Sequence, residues 1–121
     1  MRRNLVSSVG LSVGIKHGQL PIKSMIRNAW RKRYRDRFND FAGAVNVWVT
    51  ISCPMSKDCA RLLARSNYDG LLRRVLSALT GAAYSEAARI EQANITKLPR
   101  PAYCEQPHIR IVVEYFTDER G

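Results

Sequence analysis

Asn67-Tyr68-Asp69-Gly70-Leu71-Leu72-Arg73-Arg74-Val75-Leu76-Ser77-Ala78-Leu79 is the stretch whose reading decides the fold. Here a charged, irregular segment turns into an amphipathic helix that closes near Gly81. Leu71, Leu72, Val75, Leu76 and Leu79 recur at threes and fours and form one buried stripe. Asp69 and Arg73 sit four apart on the other face, close enough to interact. Two readings stand side by side. The carboxylate and guanidinium begin an active site for a phosphate-bearing substrate. Alternatively, Asp69 caps the helix and Arg73 is its surface ion-pair partner.

Strands flank this helix. Val45, Val47, Val49, Ile51 and Cys53 alternate with Asn46, Trp48, Thr50 and Ser52, a strand pattern of period two that Gly43 precedes and Pro54 ends. Trp48 on the second face predicts that this face is covered too. Val9, Leu11, Val13 and Ile15 alternate with Gly10, Ser12 and Gly14 in a half-buried strand. Ile109, Ile111, Val113 and Tyr115 alternate with Arg110, Val112, Glu114 and Phe116 in a final strand, after which the tail 117–121 is expected to fray. Ile90 onward reads as strand, with Ala93 and Ile95 inward. Residues 55–66 read as a mixed loop or a short turn of helix, and Pro99, Pro101 and Pro107 mark a long loop.

Between the first two strands lies a helical run, roughly Ile22 to Phe41. Met25, Ile26, Ala29, Trp30, Tyr34, Phe38 and Phe41 recur at threes and fours and face the core. Lys23, Arg27, Arg31, Lys32, Arg33, Arg35 and Arg37 make the other face densely cationic, offset only by Asp36 and Asp40. Such a face is either solvated, its stems lying on apolar surface, or in contact with phosphates. Neighbouring like charges on a helix repel, which favours an anionic partner. The order β-α-β-α-β-β predicts one α+β domain over 1–121, a mixed four-stranded sheet packed against two helices. Its edges leave room for dimerisation.

Composition agrees with a polyanion partner. The chain of 121 residues carries 20 basic and 10 acidic side chains, a net charge of +10. Nucleic acid is the commonest partner of such a surface, and an acidic protein is the alternative. No apolar run reaches the roughly 20 residues that span a bilayer. Ser and Gly interrupt the stretch behind Arg2-Arg3, unlike a signal peptide, so a soluble cytoplasmic protein is expected. Cys53, Cys59 and Cys104 suit neither a disulfide framework nor a zinc knuckle, and His17 and His108 stand apart, so the cysteines read as small buried hydrophobes. Trp30 and Trp48 read as core rather than as base-stacking platforms.

The run from Asn67 to Lys97 resembles the RusA-type Holliday junction resolvases of bacteria and phages. Their pattern is Asp-x-Asp-Asn-x-x-Lys, a Leu-Asp-Ala-Leu-like helix, a Gly, then an Asp-Asp pair before an apolar strand. Here Asn67-Tyr68-Asp69-Gly70-Leu71-Leu72-Arg73 stands for the first run. Leu76-Ser77-Ala78-Leu79, Gly81, Glu86-Ala87 and Ile90 follow without a gap. Ser24 to Arg33 is similar to the family's first helix, and Lys97 falls where the family often carries a basic residue. The resemblance lies in spacing more than in identity and covers about residues 9–116.

The resemblance implies a homodimer that binds four-way DNA junctions and cuts them with magnesium. The ion would be held by Asp69, Asn67 and Glu86, with Asp69 and Arg73 catalytic. Lys23, Arg27, Arg31, Lys32, Arg33, Arg35, Arg73, Arg74 and Lys97 would meet DNA. The departures bear on the metal. Asn67 replaces one aspartate, Gly70 the asparagine, and Glu86-Ala87 the downstream pair, with only Asp69 retained. A hard cation such as magnesium is held by carboxylate oxygens, and one carboxylate with a neutral amide holds it poorly. Asp58, Glu91 or a partner subunit would have to compensate. The expectation is therefore a member that binds branched DNA with cutting weakened or lost. The alternative is a protein that regulates an acidic host partner.

Overall fold

The computed structural model describes residues 2–54, 57–99 and 106–119. In chain order it holds β1 (Arg2–Gly14), α1 (Lys23–Tyr34), β2 (Ala44–Cys53), α2 (Lys57–Arg65), α3 (Tyr68–Leu79), a 3-10 turn (Ala87–Arg89), β3 (Ile90–Pro99) and β4 (His108–Glu119). The sheet order is β1-β4-β2-β3. β4 pairs antiparallel with both β1 and β2, whereas β2 and β3 are parallel. A parallel neighbour needs a crossover, and α2 with α3 supplies it. This is the mixed α+β sheet expected from the sequence, and α1 and α3 are its two predicted helices. α2 stands where a loop or a short turn was expected. Cys104 and Pro101 lie outside the described residues.

The alternating strands face one way as their pattern dictates. Val45, Val47, Val49, Ile51 and Cys53 are buried, as are Ile109, Ile111, Val113 and Tyr115 on β4 and Leu11 and Val13 on β1. Ile26 and Trp30 of α1 and Leu71, Val75, Ala78 and Leu79 of α3 join them in one core. Leu72 and Leu76 sit half-buried at its margin. The opposite face departs from expectation. Asn46, Trp48, Thr50 and Ser52 alternate with the buried residues and are only half-buried, and Trp48 donates its indole N–H to Glu114. No second layer covers that face among the described residues.

The helix expected to reach Phe41 stops at Tyr34. Arg35 takes φ 55° and ψ −128°, a conformation that favours glycine, and its N–H returns to the Arg31 carbonyl. The apolar spacing continues because the chain beyond the helix still faces the core. Phe38 stacks on Tyr115 with ring centroids 4.5 Å apart, and Phe41 meets the same ring edge-on at 4.8 Å. A periodic pattern therefore spans two different backbones. Strands β1 and β4 are also longer than their alternation suggested. Thr117 to Glu119, expected to fray, pair with Arg2 to Asn4. A bulge between Leu5 and Ser7 shifts the side chains of this extension, which hid it from a period-two reading.

The stretch 82–88, weakly patterned in sequence, opens on well-buried residues. Ala82, Ala83 and Tyr84 are enclosed. Trp30 donates Nε1–H to Ala82 O at 3.2 Å, and Tyr115 donates its hydroxyl to Ala83 O at 2.7 Å. Tyr84 donates back to Leu76 O at 2.8 Å. Gly81 turns the chain at φ 80°, the residue type and place at which helices end. Three aromatic donors thus hold an irregular segment against the C-terminal end of α3. No helix among the described residues is long and apolar enough to cross a membrane.

Candidate nucleic-acid interface

The first turn of α3 is built by Asn67. Its Oδ1 accepts the Gly70 N–H at 2.9 Å, so Asn67, not Asp69, is the N-cap. Asp69 stands in the first turn, exposed, where a carboxylate complements the exposed N–H groups of the helix start. Arg73 is exposed one turn on, and the two make no ion pair. Glu86 is exposed as well, and its Oε1 accepts from Arg89 Nη2 at 3.0 Å.

These three oxygen donors are not brought together. α3 has 12 residues, which at about 1.5 Å per residue is about 18 Å of axis. Asn67 and Asp69 lie at one end. Glu86 belongs to the segment that Tyr84 and Thr80 hold at the other, through Tyr84 to Leu76 O and the Thr80–Tyr84 bridge. With the Asn67 oxygen engaged as a cap and Glu86 bound to Arg89, the set does not fit a hard divalent cation. Among the described residues, no group of three or more His, Cys, Asp or Glu stands close enough to hold a metal ion. Glu91, weighed as a compensating carboxylate, pairs with Arg3 instead. The Asp58 side chain lies outside the described residues.

The basic residues separate into two kinds. Arg27 turns inward, its Nε donating to Ala78 O at 3.0 Å and its Nη2 to Ser77 O at 3.1 Å. Arg74, half-buried, donates Nη1 to Pro21 O at 3.0 Å. Both join backbone segments across the core margin. Lys23, Arg31, Lys32, Arg33, Arg35 and Arg73 are exposed. The last turn of α1 is basic throughout, at Arg31, Lys32 and Arg33. Part of that charge answers the negative end of the helix dipole. Lys97 is exposed too, but it stands on β3, at the sheet edge opposite β1.

Two arginines outside the DNA-contact set that the resemblance implies stand beside it, Arg37 of the cationic run and Arg110. Arg37 follows the end of α1, and Arg110 crosses from β4. Together with Arg33 and Arg35 they line a cleft of about 520 Å³ along β1, floored by Ser8, Val9, Gly10 and Tyr34. Arg33 lies over the Tyr34 ring at 5.4 Å and Arg37 over the Phe38 ring at 5.0 Å. No carboxylate lines this cleft, and none of its four arginines is in an ion pair among the described residues. The sequence signal for Arg110 was its outward register in β4, opposite Ser12 and diagonal to Gly10, both small outward residues. Only the pairing of β1 with β4 makes that visible.

No protein-family model matches this chain, and no curated protein matches it.

Proposed function

We propose that this chain binds branched DNA through its cationic face, with strand cleavage weakened or lost. The observation that carries this is the row Arg31, Lys32, Arg33 and Arg35 at and beyond the end of α1. These residues are exposed and form no ion pair among the described residues, in a chain of net charge +10. Phosphates neutralise such a surface and release condensed counterions, which drives association. The resemblance to RusA-type resolvases supplies the branched substrate and the homodimer. The scattered donors Asn67, Asp69 and Glu86 support reduced cutting. In this reading Arg27 and Arg74 hold the frame, and the exposed cations make the contact.

A gel-shift series with a four-way junction, a duplex and a single strand, each with and without magnesium, tests it. The junction is expected to bind most tightly, at micromolar concentration or below. Its affinity should fall steeply as salt rises. Absent or salt-insensitive binding overturns the reading. Junction cleavage that disappears in Asp69→Asn would restore a full nuclease, and a partner captured from nuclease-treated lysate in place of DNA would favour an acidic protein. Sedimentation of the free protein reports the dimer.

A further inference from the structure

We infer that the cleft formed by Arg33, Arg35, Arg37 and Arg110 along β1 is a built phosphate site. It would hold one or two adjacent phosphate groups of a bound strand. This rests on the proposed DNA-binding reading and names where on the cationic face the backbone is gripped. Four observations carry it.

The first is charge. Four guanidiniums share one cleft with no carboxylate among its lining residues. A guanidinium fork matches the oxygens of a phosphate group and is the usual means of holding one. The helix dipole does not account for the set. Arg35 and Arg37 lie beyond the end of α1, and Arg110 comes from a strand.

The second is backbone strain. Arg35 occupies φ 55° and ψ −128°, where a side chain is disfavoured and glycine is at ease. A residue held in such a conformation is a common mark of a functional position. Here that residue is an arginine that lines the cleft.

The third is accommodation of Arg110. Its guanidinium lies across Gly10, where a Cβ would meet Nη2 at 2.5 Å, and Nη1 reaches Ser12 Oγ at 3.3 Å. The missing side chain at Gly10 is what lets the guanidinium lie there.

The fourth is rigidity. Arg33 and Arg37 are laid on aromatic faces, and Tyr34 donates its hydroxyl to the Gly10 carbonyl on β1. These contacts fix the floor and two of the cations before any ligand arrives, which lowers the ordering cost of binding.

The test uses two variants that ought to fold well. Arg35→Gly removes one charge and relieves the backbone. Gly10→Ala keeps every charge and only displaces the far end of Arg110. Each is measured for affinity to a four-way junction with hydroxyl ends, to the same junction with 5′-phosphate ends, and for melting temperature. Arg61→Gln on α2 is the control for loss of a single charge.

Each cleft variant is expected to weaken junction binding about tenfold, the size of one lost charge-assisted contact, with melting temperature unchanged or raised. Arg61→Gln should change it far less. A loss confined to the phosphorylated ends assigns the cleft to terminal phosphates, and an equal loss on both assigns it to the internal backbone. Gly10→Ala binding like the original protein, while Arg31→Gln with Lys32→Gln weakens it, overturns the cleft and leaves the DNA reading standing. If the original protein binds no DNA, inorganic phosphate is the probe. Shifts of the Arg35 and Arg110 Nε resonances then keep the cleft and discard the DNA reading, and no shift discards both.

Discussion

Arg27, midway along α1, donates its Nε–H to the Ala78 carbonyl at 3.0 Å and thereby closes the C-terminal end of α3. α3 has no basic residue in its own last turn, and the final carbonyls of a helix have no partner within it. A cation from the neighbouring helix fills that role, reaching Ser77 as well. The same side chain therefore docks the two helices and answers the dipole of one of them.

Arg27→Ala is expected to destabilise the protein by about 1–2 kcal/mol, the scale of charge-assisted hydrogen bonds lost at a partly exposed site. Arg27→Lys should recover only part, because a single ammonium cannot reproduce the fork. Urea unfolding midpoints check both. An unchanged midpoint in Arg27→Ala would mean that water serves the α3 carbonyls as well.

Asn67 is tested by two substitutions of opposite expectation. Asn67→Ala removes the acceptor for the Gly70 N–H and should cost about 1 kcal/mol. Asn67→Asp keeps the acceptor and adds a charge at the favourable end of α3, so the midpoint should hold or rise. Thermal melts of the two, side by side, separate a cap from a side chain of no structural consequence.

Gly43→Ala should be costly in spite of its small size. A Cβ there would collide with the Phe116 carbonyl oxygen and lie 2.9 Å from the Phe41 ring. The oxygen belongs to the backbone of β4 and cannot step aside cheaply. About 1–3 kcal/mol of destabilisation is expected, as for other overpacked sites, read from chemical denaturation.

Alkali should unfold the protein through two tyrosines. Burial pushes the Tyr84 hydroxyl from 10.0 up to about 12, with the Thr80 hydroxyl opposing it. Burial, with Tyr84 and Tyr34 nearby, pushes Tyr115 up as well, and Arg37 opposes. Both keep their protons in the folded state where the unfolded chain has lost them. Their stabilisation is thus whole below about pH 10 and falls as pH rises above it. The slope between about pH 10 and about pH 12 should approach 1.4 kcal/mol per pH unit for each tyrosine. Tyr84→Phe should be less stable at neutral pH, having lost its bond to Leu76 O, yet decline less steeply in alkali. Unfolding midpoints across that range give the slopes.

How far the site was legible follows from how each residue is held. Asp69 before an apolar-periodic helix looked like a cap, but capping is settled by which side chain reaches the N3 amide, and Asn67 does. The helix from Ile22 onward was readable, while its end was not. Phe38 and Phe41 carried the helical spacing past Tyr34 because the following turn faces the same aromatic cluster. Residues 82–84 gave little local signal, since their burial comes from Trp30 and Tyr115, distant in sequence.

From the chain alone came the alternation that makes β2 and β4 strands, the stripe of Leu71, Val75 and Leu79 that makes α3 a packed helix, and the excess of positive charge. These are properties of near neighbours, and periodicity records them directly. Tertiary structure alone decided which cations point inward, as Arg27 and Arg74 do, and which gather, as Arg33, Arg35, Arg37 and Arg110 do. It also decided that Asn67 and Glu86 stand at opposite ends of α3. Such assignments depend on strand order, on a positive φ at Arg35 and on a missing Cβ at Gly10. None of these leaves a repeating mark in a linear sequence, because each is a meeting of residues far apart along the chain.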